Sequence, residues 1–230
     1  MNAGDPTPLR HPSEATLLAH ASGSLAVAHR FVVATHAINC ADCHNAILVA
    51  EQIGGVLLDD LAPTALQPDA LRLCLARLDT ATASTRAHRP ANPPPRVGEL
   101  MLPPALRGFQ PGKLRWLAPG VRHATLFRDE RGTLHFLRVH ANVALPQHSH
   151  RGLELACVLQ GACHDESGQY RAGDVSEVGD EDEKAEQQGG DHEHLVVTEP
   201  PGDCICILAT TGRLQFRSRL ARLLQPLMPF

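Results

Sequence analysis

The first residues that could do chemistry are His36-Ala-Ile-Asn-Cys40-Ala-Asp-Cys43. A separation of four on a helix sets His36 and Cys40 one turn apart on one face. The Cys-x-x-Cys step then returns a second thiolate to the same point through a tight turn. Three borderline or soft ligands converging this way suit tetrahedral zinc, which needs a fourth. The same letters admit other chemistry. Cys40-Ala-Asp-Cys43-His44 spells the attachment motif for a c-type haem, which normally follows export, and a thioredoxin-like dithiol would need a surrounding βαβ pattern that is missing. Two reduced cysteines beside a surface histidine are the plainest alternative.

A second constellation is His148-Ser-His150-Arg-Gly-Leu-Glu154, followed after six residues by Gly161. Positions 148, 150 and 154 share parity, so a strand presents all three on one face if the register survives the Arg-Gly bend. Two imidazoles and a carboxylate leave open coordination positions. Tyr170-Arg-Ala-Gly173-Asp174 fits a turn between strands, and His192 or His194 stands ready to close the site. The competing reading is a pair of histidines on a wet strand edge.

The elements that must position these groups divide the chain of 230 residues in two. Residues 84–98, with four prolines and almost no large apolar side chain, read as an extended linker. Residues 1–83 before it read as about four short helices. Ser24 is an N-cap candidate for a helix from Leu25 to about Ile38, and a third helix from near Cys43 should stop at Gly54-Gly55. In a fourth, Leu71, Leu75 and Leu78 follow Pro68 at helical spacing. So small a core would gain from a metal staple. Residues 99–230 read as short strands and turns, among them Thr133–His140, Leu153–Leu159 and Cys204–Leu208, which suggests a sandwich or barrel. The fold class is therefore α+β in two domains.

Composition narrows the function. Aromatics are 3% and the net charge is −4, a poor basis for stacking on bases or gripping phosphates. Residues 1–83 hold eight acids and four basic residues, so this part is itself −4 and better suited to a basic protein surface than to DNA. From Glu177 to Glu193, eight acids against Lys184 give −7, the mark of a solvated loop. The first residues lack the basic and apolar regions of an export signal, and no run approaches the roughly 18 apolar residues of a membrane span. Seven cysteines in a cytoplasmic chain then point to metal or redox work rather than structural disulfides.

Together these residues resemble the ChrR-type anti-sigma factors, which pair a zinc-binding anti-sigma domain with a cupin-like domain. The likeness runs from His11-Pro-Ser-Glu and Val32-Val-Ala-Thr-His36 through the His148–Leu155 motif and Val158-Leu-Gln-Gly161. It continues in Gly173-Asp174 and Asp203-Cys-Ile-Cys206. The resemblance implies a C-terminal cupin, a double-stranded β-helix or jelly roll. It also implies zinc on His11, His36, Cys40 and Cys43, and a second zinc on His148, His150, Glu154 and His194. His194 is preferred over His192 because the family places this ligand ten residues before the first cysteine of Asp-Cys-Ile-Cys.

The implied function is capture of an extracytoplasmic-function (group IV) sigma factor, one to one, away from RNA polymerase. The cupin would report oxidants such as singlet oxygen or organic peroxides. Such a protein is no enzyme and binds neither DNA nor membrane. Cys204 and Cys206 are redox candidates, although as i and i+2 neighbours on a strand they would make a strained disulfide with each other. Two features depart from the family pattern: the acidic segment ending at His194 is about ten residues longer, and Cys157 and Cys163 are extra. The rivals are an iron-dependent cupin dioxygenase, a DNA-binding zinc module and a c-type cytochrome.

Overall fold

The computed structural model describes residues 7–83, 95–107, 109, 111–145, 148–150, 152–179, 195–211 and 214–216. It opens with four helices: α1 (Glu14–Ala21), α2 (Val27–Ala37), α3 (Ala41–Asp59) and α4 (Ala70–Ala83). Ser13 caps α1, its hydroxyl accepting from the Thr16 amide at 3.2 Å. The expected cap Ser24 instead gives its hydroxyl to the Ala19 carbonyl, and α2 starts after Ala26 without a side-chain cap. Helix α3 runs through Gly54-Gly55 rather than stopping there. Neither glycine takes a positive φ. A glycine ends a helix by adopting the left-handed conformation; inside one it merely costs about 1 kcal/mol against alanine.

Strand structure begins inside the segment expected to be linker. There β1 (Arg96–Val97) pairs with β2 (Leu100–Met101), and Val97 joins the main core. Next come β3 (Arg115–Ala118), β4 (Val121–Asp129), β5 (Gly132–Val139), β6 (His148–His150) and β7 (Glu154–Gln160). They are followed by β8 (Ala162–Asp165), β9 (Gly168–Arg171), β10 (Val175–Val178), β11 (Val197–Thr198), β12 (Cys204–Thr210) and β13 (Leu214–Phe216). Among the described residues these form a six-stranded antiparallel sheet in the order β10-β7-β12-β5-β4-β3, with smaller sheets β11-β8-β9 and β13-β6. This is the sheet-rich cupin that the motifs implied.

The register separates two faces. Val158, Cys206, Leu137 and His123 lie in one row, and Ala156, Leu208, His135 and Thr125 in the next. These rows form the inner face, covered by Val143 and Leu145. Leu155, Ile207, Phe136 and Ala124 have the opposite parity and face the helices. Helix α2 lies across β5, β7 and β12, with Ala28, Val32 and Val33 fully buried at helical spacing. The helical and sheet parts thus share one hydrophobic core, in which each fully buried Val, Leu or Phe side chain contributes about 1.5–3 kcal/mol. Among the described residues no helix is long and apolar enough to cross a membrane.

Candidate metal centre

Helix α2 ends at His36, and α3 begins just after Cys40, which occupies its N-cap position. The chain reverses between them through Asn39 and Cys40, whose amides both reach the His36 carbonyl. That turn brings His36, Cys40 and Cys43 together, all three buried, while His11 arrives from the strap before α1. Their ligand atoms lie within 4.8 Å of one another. His11 Nδ1 is 3.3 Å from His36 Nε2, 3.4 Å from Cys40 Sγ and 3.5 Å from Cys43 Sγ; His36 Nε2 is 3.3 Å from Cys43 Sγ.

These are the edge lengths of a metal tetrahedron. With Zn–N near 2.0–2.1 Å and Zn–S near 2.3 Å, tetrahedral angles give N–N edges of about 3.4 Å and N–S edges of about 3.5 Å. Chemistry agrees with geometry. Burial, with the neighbouring Cys40 thiol, pushes the Cys43 thiol up to about 12. Burial likewise lowers the His36 pKa, against the opposing effect of its bond to Gly173. Thiols and imidazole nitrogens at such separations suit a divalent cation among them. The four residues fit a tetrahedral ion.

The sheet holds two of these four ligands in place. His36 Nδ1 lies 2.7 Å from the Gly173 carbonyl oxygen. A carbonyl only accepts, so Nδ1 carries the proton and Nε2 keeps its lone pair toward the thiols, the tautomer a metal needs. The next residue, Asp174, is buried, and its Oδ1 accepts from the Leu9 amide at 2.7 Å and the Arg10 amide at 3.1 Å. Its Oδ2 accepts from the Arg171 amide at 2.8 Å. The strap carrying His11 is thus tied to the β9–β10 turn on one side of the ligand. On the other side, Glu177 in β10 accepts from the Ser13 amide and hydroxyl and from the Thr16 hydroxyl. A carboxylate at a helix N-terminus also meets the favourable end of the helix dipole. Glu177 is therefore a docking residue and not part of a solvated acidic loop.

Seven residues before His36 on the same helix, the fully buried His29 donates from Nε2 to the Leu153 carbonyl at 2.9 Å. Both ends of α2 are in this way hydrogen-bonded to cupin backbone.

Of the second proposed set, Glu154 opens β7, buried, opposite Thr210 of β12 and Val178 of β10. Burial pushes its carboxyl up to about 8. The backbone of His148 and His150 forms β6, but their side chains, and all of His194, lie outside the described residues. Cys157 faces the helices, as its parity requires, while Cys204 and Cys206 share the inner parity. Sequence reasoning missed the inner-face pair His123 and His135, whose Nε2 and Nδ1 lie 2.8 Å apart. No motif announces them; only the pairing of β4 with β5 does.

Comparison with known proteins places this arrangement. A family model described as the ChrR cupin-like domain matches residues 107–210. The anti-sigma-E factor ChrR of Cereibacter sphaeroides is 37% identical over 221 residues, which cover 94% of this chain and 96% of the relative. A crystal structure of Rhodobacter sphaeroides SigE in complex with the anti-sigma ChrR matches with a TM-score of 0.69 at 34% identity. The match covers 89% of this chain and 99% of that one.

Proposed function

The chain belongs to the ChrR family of anti-sigma factors, and on that premise we propose that it captures an extracytoplasmic-function sigma factor, one to one, and releases it on an oxidant signal received by the cupin. The observation that carries this reading is an apolar surface left uncovered among the described residues. The second half of α3 exposes Ile53, Val56, Leu57 and Leu58 by more than half, and α4 exposes Leu71 and Leu75 likewise. Apolar faces of this extent mark a protein-binding site. Helix α3, which carries the larger of these faces, starts at the His11, His36, Cys40 and Cys43 cluster.

In this reading zinc is held by those four residues and supplies a structural crosslink. It fixes the turn between α2 and α3, and with it the direction in which α3 presents its apolar face. The acidic balance of the helical part favours a basic partner surface over nucleic acid. The cupin would hold a second zinc through His148, His150, Glu154 and His194, with Cys204 and Cys206 nearby as redox-active thiols. The protein would act in the cytoplasm as a regulator and not as an enzyme.

Co-expression with the extracytoplasmic-function sigma factors of its own organism, followed by purification, tests the proposal. A one-to-one complex with about two zinc ions per anti-sigma chain is expected, one for each ligand set. No association, or cupin-bound iron together with oxygen uptake, would overturn it in favour of an enzyme.

A further inference from the structure

We propose that Cys163 and Cys204 are a peroxide-oxidised dithiol, closing to an intramolecular disulfide on the flank of the cupin nearest the His11 strap. Cys163 lies in β8, paired with Tyr170 of β9 on one side and Thr198 of β11 on the other. Cys204 opens β12 and packs with Cys163, Val158 and Tyr170 in a small apolar cluster. Both are free thiols, and Cys163 packs against the small cluster that contains Cys204. The close approach depends on Gly161 at φ +78°, where a Cβ would collide with the Asp203 carbonyl oxygen and come within 3.1 Å of the Cys204 Cα. Any side chain there would push β12 away from β8.

The two thiols differ in ways that assign their roles. Cys163 is partly exposed and Cys204 is buried. A hydrogen bond from Cys204 holds the Cys163 thiol below the ordinary range, outweighing burial, whereas burial is the largest cause raising Cys43, Cys157 and Cys206. Reactivity toward peroxide follows thiolate character and access, which selects Cys163. Its sulfur attacks the distal oxygen of a hydroperoxide. An S–O bond forms, the O–O bond breaks, and the alcohol leaves with the proton, giving a sulfenic acid. Cys204 then attacks that sulfur, the S–S bond forms, and the hydroxyl departs as water with the Cys204 proton. Two thiols lose two electrons, and one peroxide becomes an alcohol and a water. Cys206 is the poorer partner for Cys204, since i and i+2 residues of one strand reach disulfide geometry only with strain.

The bond would be felt at the metal cluster. Tyr170, cross-strand from Cys163, carries the Arg10 guanidinium 4.8 Å over its ring, and Arg10 also donates to the Gln169 and Ser167 carbonyls. The residue after Arg10 is His11. Shifting β8 against β12 therefore moves the platform on which the fourth ligand's strap rests. This regulatory use rests on the anti-sigma reading; the bond itself does not.

The test treats the full-length, zinc-loaded protein with tert-butyl hydroperoxide. Free thiols are then blocked, the protein is digested without reductant, and linked peptides are sequenced by fragmentation. The expected result is a Cys163–Cys204 link, two hydrogens lighter, with two of the seven thiols lost at low peroxide. It should vanish in Cys163→Ser and persist in Cys206→Ser. A wild-type map showing Cys163 still free, or Cys204 joined elsewhere, overturns the proposal without relying on any variant to fold. In the purified sigma complex, peroxide should dissociate the wild type and leave Cys163→Ser associated. A linked wild type that keeps its sigma factor would overturn the regulatory use alone. A protein that never binds a sigma factor would defeat the anti-sigma reading and leave the mapped bond standing.

Discussion

Replacing Asp174 with alanine should weaken metal binding by a cluster of which it is not a member. The carboxylate accepts three backbone amides, two of them from Leu9 and Arg10, which immediately precede His11. Hydrogen bonds to a charged group are worth about 1.5–3 kcal/mol each, and two on one strap do not add fully. A loss of about 3 kcal/mol in holding the strap is the working figure. At 1.4 kcal/mol per tenfold, this raises the zinc dissociation constant about 100-fold, the upper end of what lost outer-shell partners cost. The assay is competition with a chromophoric chelator, with Arg138→Ala as the control. Arg138 pairs with Asp203 at 2.7 Å and touches no ligand strap, so its variant should bind zinc as the wild type does. An Asp174→Ala protein within about threefold of wild type would refute the claim that the β9–β10 turn positions His11.

Chelating the zinc should unfold the α1–α3 region rather than loosen it, because structural zinc contributes about 10 kcal/mol or more to such folds. Loss of helical circular dichroism and of sigma binding together, restored by added zinc, is the expected result. Leu57→Asp and Leu75→Asp should weaken sigma association by at least about tenfold while shifting folding stability by no more than about 0.5 kcal/mol, since both side chains are exposed. Burial lowers His123 to about 4 and His135 to about 3, with nearby positive charge adding to the effect. The unfolded chain thus takes up these protons first as pH falls below about 6.5. Stability is full above that pH and is lost toward pH 4, by at most about 1.4 kcal/mol per pH unit for each histidine. Melting curves of the wild type and a His123→Phe, His135→Leu protein at pH 7 and 5 should show the steeper decline in the wild type.

The metal cluster was legible wherever its information is local. His36, Cys40 and Cys43 announce themselves by helical spacing and a tight turn, and the structure closes them within ligand distance. His11 lies 25 residues from His36, and no spacing rule reaches that far; family resemblance supplied it. Local signals also misled. Gly54-Gly55 resembles a stop, but a stop depends on φ, which the surroundings decide, and here Val56, Leu57 and Leu58 continue the helix. The proline-rich segment seemed to insulate two domains, yet α2 buries its apolar face on β5, β7 and β12. Amphipathicity shows that a helix has a face to bury and is silent on which element covers it. The docking roles of Glu177 and Asp174 were invisible for the same reason: their strap and helix partners lie more than 160 residues away.

The wiring of the ligands explains how a cupin event can reach the helices without touching the thiols. Cys40 and Cys43 are held by the helical part itself, at the start of α3. The two histidines take their bearings from the sheet, His36 through the Gly173 carbonyl at 2.7 Å and His11 through Asp174, which accepts the amides of the two preceding residues, Leu9 and Arg10. Half of the tetrahedron is therefore referenced to one cupin turn. Hydrogen bonds of this length are lost within about 1 Å of displacement, because 3.7 Å is already beyond the bonding range. A shift of that size in the β9–β10 turn would leave the sheet's own ladder intact. It would still cost His36 its tautomer-fixing partner and free the His11 strap. Because the cluster sets the turn from α2 into α3, the apolar face beyond that turn moves with it. On the proposed function, displacing that one turn would be enough to change the binding surface, because two of the four candidate ligands are referenced to it.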